Sequence, residues 1–181
     1  SRQVEVWVDG VPLNAQGSSS VDLGTLALDA YDRVEVWRGF APLELGASPI
    51  GGVVHLTSRP GTETPTRFEA SLGSWETRSL VAEGGLGQVL PGGATGDVRL
   101  TTSYSGTSGD FPFLKMGTFN DAEDDVVLPR ANNDHDQLDV VGRARLVVGP
   151  ATLAVADQLG WSDGGVPGPR FEQTSEARFG E

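Results

Sequence analysis

Three stretches decide how the rest is read: Val6-Trp7-Val8-Asp9-Gly10-Val11-Pro12-Leu13, then Asp32-Arg33-Val34-Glu35-Val36-Trp37-Arg38-Gly39, then Gly46-Ala47-Ser48-Pro49-Ile50-Gly51-Gly52-Val53-Val54-His55-Leu56-Thr57. In the first, Val4, Val6 and Val8 alternate with Glu5 and Trp7, the period of a strand, and Asp9-Gly10 ends the run as a turn. In the second, Val34 and Val36 share one face of a strand predicted over residues 32–37. In the third, Gly51-Gly52 leads into a strand predicted over residues 53–57. Between them the pattern predicts a short helix over residues 23–31. It also predicts a single helical turn from Pro42 through Leu45, since proline's fixed φ suits a first helical position.

Working outward, the segment Arg59-Pro60-Gly61-Thr62-Glu63-Thr64-Pro65 is a turn-rich linker, and it divides residues 1–60 from residues 61–181. Beyond it the period is two. Phe68, Ala70 and Leu72 alternate with Arg67, Glu69 and Ser71, and Leu80, Ala82 and Leu86 share a face of the next run. Val98, Leu100, Thr102 and Tyr104 alternate with Asp97, Arg99, Thr101 and Ser103. Leu138, Val140, Ala144, Leu146 and Val148 alternate with Gln137, Asp139, Arg143 and Arg145. Leu153, Val155, Leu159 and Trp161 close the series. Short turns at Gly73-Ser74, Leu90 to Gly96 and Gly149-Pro150 contrast with a long polar excursion from Gly106 to His135 and a polar tail from Ser162. Unequal connections of this kind suit a membrane barrel, as do Trp75, Tyr104 and Trp161 at the ends of runs. A soluble β-sandwich alternates in the same way, so period alone leaves two architectures open.

Composition narrows the function. A formal net charge of -12 argues against general nucleic-acid binding, which needs a basic surface. There is no Cys, which excludes disulfides and thiolate metal sites. No apolar run approaches the roughly 20 residues of a membrane helix, although a barrel strand needs only about 9–11. The chain starts at Ser1, read as an internal cut or a processed end.

Enzyme signatures are missing. There is no P-loop motif, Gly85-Leu86-Gly87 has neither a third glycine nor a helix to follow, and Ser48 lacks the glycines of a nucleophile elbow. The two His are far apart in sequence, so no Ser-His-Asp site can be argued. The polar run Asn120-Asp121-Ala122-Glu123-Asp124-Asp125 marks Asp121, Glu123, Asp124 and Asp125 as a loop able to collect cations or touch a ligand. Its spacing is not that of an EF-hand, and a solvated acidic loop is the simpler account. No cofactor is expected.

The three opening stretches resemble, in order and spacing, the "vyvDGvpl", "ierIEVlrG" and "YGsgAiGGvInIiT" segments of TonB-dependent outer-membrane receptors. The long loop with Ser108-Gly109-Asp110-Phe111 is similar to the "sdGyr" stretch of that family. Phe40, Leu45 and His55 depart from the pattern and bear on subfamily and ligand. The resemblance implies a mostly β fold: the C-terminal half of an α/β plug over residues 1–60, then about five antiparallel strands of an incomplete transmembrane β-barrel over residues 61–181. It implies a transporter in the outer membrane of a Gram-negative bacterium. Such a protein imports a scarce nutrient (iron-siderophore, haem, cobalamin or glycan), works with the TonB energy-transducing complex, and sits in lipid. It is no enzyme. Leu100, Val140, Leu146 and Val155 are then expected to face lipid, and Arg99, Arg143 and Arg145 the lumen. Arg38 is expected to latch plug to barrel wall. The alternative is a soluble β-rich binding or adhesion domain.

Overall fold

The computed structural model describes residues 4–13, 26–39, 51–117, 125–169 and 173–180. The fold is mostly β. Its strands are β1 (Val4–Val8), β2 (Val11–Pro12), β3 (Arg33–Trp37), β4 (Gly52–Thr57), β5 (Arg67–Leu72) and β6 (Arg78–Val89). They continue as β7 (Thr95–Thr107), β8 (Pro112–Lys115), β9 (Val126–Pro129), β10 (His135–Val148), β11 (Ala151–Gly165) and β12 (Arg178–Gly180).

The first sheet has the order β2-β1-β4-β3. β1 runs parallel to β4 with Val4 opposite Gly52 and Val8 opposite Leu56, while β3 runs antiparallel with Val34 opposite Leu56. Its core is apolar: Val6, Val53 and Leu56 are buried with Ala27 and Ala30. Gly52 has φ +112, and a Cβ there would lie 2.3 Å from the Trp37 carbonyl oxygen, so the β3–β4 approach requires glycine at this point.

The long sheet has the order β12-β11-β10-β7-β6-β5 and is open at both edges. Its partition between buried and exposed residues is inverted. Glu83, Asp97, Arg99, Thr101 and Asp139 are buried, whereas Phe68, Leu72, Leu86, Val98, Leu100, Leu153, Val155 and Leu159 are exposed. Val81 is the buried apolar exception. Alternation places the two sets on opposite faces of each strand. By internal packing the chain divides into residues 1–65, 84–99 and 143–155, and residues 66–83, 100–142 and 156–181.

Three sequence expectations change. Of the helix expected over residues 23–31, the described residues form only a 3-10 turn, Leu28–Ala30, with no side-chain cap; Tyr31 is already extended and feeds β3. Residues 23–25, the turn expected from Pro42 and residues 46–50 of the third motif lie outside the described residues. The long polar excursion contains a hairpin, in which Phe113 pairs with Leu128 and Leu114 with Val127. Its short apolar runs were masked by the polar residues around them. The long sheet also gains a sixth, three-residue strand, β12.

Candidate functional site

β1 ends in a tight turn, with Asp9 at φ 50 and Gly10 at φ 84. The turn brings the Asp9 carboxylate against the end of β4. Its Oδ1 accepts the Ser58 backbone N–H at 2.9 Å, and its Oδ2 accepts the Ser58 hydroxyl at 2.8 Å. The same Oδ2 receives Nη1 of Arg143 at 2.5 Å, across 134 positions of sequence. Both side chains are largely shielded, 17 % exposed for Asp9 and 15 % for Arg143. Burial pushes the nearby Tyr31 phenol upward, and the negative charge of Asp9 adds to the effect.

Arg145, two residues further along β10 and so on the same face, repeats the arrangement. Its Nε donates to Asp97 Oδ2 at 2.7 Å, while Asp97 Oδ1 accepts the Gly61 backbone N–H at 2.8 Å. Two carboxylates that water has largely left are thus each met by an arginine and a backbone amide, the compensation such charges require.

The linker after Pro60 lies against the long sheet at very short range. A Cβ on Gly85 would lie 2.3 Å from the Gly61 carbonyl oxygen, and one on Gly87 would lie 2.0 Å from the Thr62 Cγ2. The Gly85-Leu86-Gly87 pattern, rejected as a phosphate loop, is therefore a seat for the linker.

The second packing unit carries a brace between two loops. The Asn132 side-chain amide donates to the Ala177 carbonyl at 2.7 Å and the Val166 carbonyl at 3.0 Å. Gln173 Oε1 accepts the Ala131 N–H at 2.6 Å, and Arg130 donates to the Gly168 carbonyl while its guanidinium lies over the Phe113 ring. Further along, Arg178 pairs with Asp134 and Asp163.

Of the residues singled out in the sequence, Arg38 is exposed, as are Val34 and Val36 of the same face, and it has no ion pair with another described residue. Asp121, Glu123 and Asp124 lie outside the described residues. Asp125 accepts the Gly117 N–H at 3.1 Å. Nothing in the sequence pointed to the Asp9–Arg143 pair. Period two put Arg143 on the charged face of its strand but named no partner.

Residues 1–53 match the family model "TonB-dependent Receptor Plug Domain". The vitamin B12 transporter BtuB of Vibrio vulnificus is 34% identical over 73 residues, which are 40% of this chain and 12% of the relative. The ferric-pyoverdine receptor PbuA of a Pseudomonas species is 41% identical over 81 residues, 42% of this chain and 10% of the relative. The chain therefore aligns with about a tenth of the length of these two relatives. The solved pyoverdine outer membrane receptor FpvA from Pseudomonas aeruginosa, bound to pyoverdine, has a TM-score of 0.49 at 20% identity, over 88% of this chain and 21% of that one. The plug-domain match runs through the first two opening motifs and into the third, so residues 1–53 are similar to the plug of TonB-dependent receptors.

Proposed function

We propose that this chain is part of an outer-membrane active transporter that imports a scarce nutrient under the drive of the TonB complex. The observation that carries the reading is the inverted long sheet, which buries Asp97, Arg99, Thr101 and Asp139 and exposes Val98, Leu100, Val155 and Leu159. In water such a sheet would hide its apolar face; in a bilayer the apolar face is solvated by lipid and the polar face looks inward. Residues 1–60 are then plug, and residues 61–181 are the first wall strands. Cobalamin and ferric siderophores are the substrate classes favoured by the names of the two relatives.

Two residue assignments belong to this reading. Arg38 is a latch whose carboxylate partners lie on wall strands outside this chain, and Arg38→Ala then admits bulky antibiotics with the barrel still assembled; unchanged permeability and uptake would remove the role. Asp121, Glu123, Asp124 and Asp125 form an outward loop that meets ligand or cations.

The deciding experiment places spin labels in the full receptor in bilayers. Labels at Leu100, Val140, Leu146 and Val155 should be quenched by a lipid-soluble agent, and labels at Thr101 and Val147 should not. The reverse pattern, or a full receptor that stays soluble without detergent, would favour a soluble β-rich binding domain instead.

A further inference from the structure

We infer that Asp9 and Arg143 form a releasable catch that holds the exit end of the plug's first strand against wall strand β10, so that its opening is a step in moving the plug. The inference rests on the transporter reading above and adds to it a residue pair inside the described fold. Three observations carry it.

The first is geometry. The Asp9 carboxylate is shared between Ser58, at the end of β4, and Arg143, on β10. One side chain therefore ties the first plug strand both to the last plug strand and to the wall. The second is shielding. Both partners are largely removed from water, so the pair is screened less than a surface pair and each charge is costly without the other.

The third is the direction of the strands. β1 and β4 are parallel, with Val4 opposite Gly52 and Val8 opposite Leu56. The chain leaves β4 toward the wall through Ser58 and the linker seated on Gly85 and Gly87. A displacement applied from the Ser1 side acts along β1 while β4 is tethered at its far end. The two strands are then loaded in shear, and the Asp9 turn is the last point of β1 before the chain reverses into β2. A charge pair at that point resists sliding of β1 along β4 and relaxes once it opens.

Only one nitrogen of Arg143 reaches the carboxylate, so charge and reach matter here more than a bidentate fork. This gives the catch a signature that plain packing lacks. Arg143→Lys keeps a donor and a charge, whereas Arg143→Gln keeps most of the volume and loses the charge.

The test uses the full receptor in detergent, with hydrogen exchange of the β1 amides as readout. Arg143→Gln should speed exchange over Val4–Val8 by roughly tenfold relative to β3, with Arg143→Lys restoring at least half of the protection on a logarithmic scale. In a double-mutant cycle, Asp9→Asn and Arg143→Gln should be clearly less than additive, because both remove the ion pair, while Asp9→Asn also weakens the Ser58 arm. Ser58→Ala removes the hydroxyl arm alone and should leave the cycle intact. Exchange within twofold of wild type in Arg143→Gln, full additivity with Asp9→Asn, or failure of Lys to rescue would each overturn the catch. Uptake by cells separates the two readings. Loss of exchange protection in a receptor that imports nothing even as wild type would sink the transporter reading and leave the pair standing. Normal exchange in a receptor that imports its nutrient would do the opposite.

Discussion

In the sheet of β1 to β4 the side chains removed from water are Val6, Val53 and Leu56; in the long sheet they are chiefly Glu83, Asp97, Arg99, Thr101 and Asp139. Both sheets alternate in period two, and both obey the rule that neighbouring residues point to opposite faces. They differ in which face is hidden. The first sheet is organised as any water-soluble fold would be, with transfer of apolar surface from water as the driving term. The long sheet leaves its apolar face outside, and its hidden face is held by paired charges such as Arg145–Asp97 and Arg67–Glu83. Those pairs give direction and register more than net stability, since burying an ion pair costs nearly as much as it returns. The comparison teaches that a strand pattern names two faces but not their surroundings.

The comparison can be broken most sharply in the first core. Leu56 is 1% exposed, so Leu56→Ala should cost the first sheet about 2–5 kcal/mol in the full-length protein, whereas Leu100→Ala, 54% exposed, should cost the long sheet far less. Urea unfolding followed by Trp7 and Trp37 fluorescence for the first sheet, and by heat-modified gel mobility for the long sheet, separates the two. Similar losses at both sites would mean that the long sheet packs its apolar face after all.

A middle-sized effect is expected where the linker crosses the long sheet. Gly85→Val puts a branched side chain where a Cβ already falls 2.3 Å from the Gly61 carbonyl, and it should cost about 1–3 kcal/mol through forced displacement. Limited proteolysis at residues 60–65 reports it. Cleavage as slow as in wild type would show that the linker does not rest there.

The smallest effect sharpens the picture at an exception in β11. Gln158 reaches Asp139 at 3.2 Å and so lies on the hidden face; Asp157, exposed, therefore stands on the outward face between Val155 and Leu159. If that face meets lipid, Asp157→Leu should stabilise the barrel, by less than the roughly 2–4 kcal/mol that arginine costs at mid-membrane. Refolding midpoints in bilayers would show the gain. A loss of stability would point instead to a polar neighbour of Asp157 on that face.

Much of this was legible in the sequence. Val4 to Val8, Val34 with Val36, and Val53 to Thr57 announced three strands, and alternation put Arg99, Arg143 and Arg145 on the side of their strands opposite Leu100 and Leu146, where Arg99 is buried and Arg143 and Arg145 are half-buried. The hairpin β8–β9 was not, because four-residue strands inside a polar loop carry too few residues for a period to emerge. Nor was the 3-10 turn at Leu28–Ala30, where an apolar spacing of helical kind is overridden by the extended chain that follows it.

What the sequence determined by itself is therefore local: the alternation of the longer strands and the turns between them. Alternation is a property of the backbone pleat, turns follow from residues such as Asp9-Gly10 that tolerate positive φ, and both can be read a few residues at a time. The tertiary structure decided what is not local. It brought Asp9 to Arg143 across the chain, placed Asp97 between Arg145 and Gly61, and gave Gly85 and Gly87 a linker to receive. The physical reason is that a carboxylate's partner is fixed by where the whole chain runs. A charge shielded from water must find an opposite one, but nothing in its own neighbourhood of sequence says which.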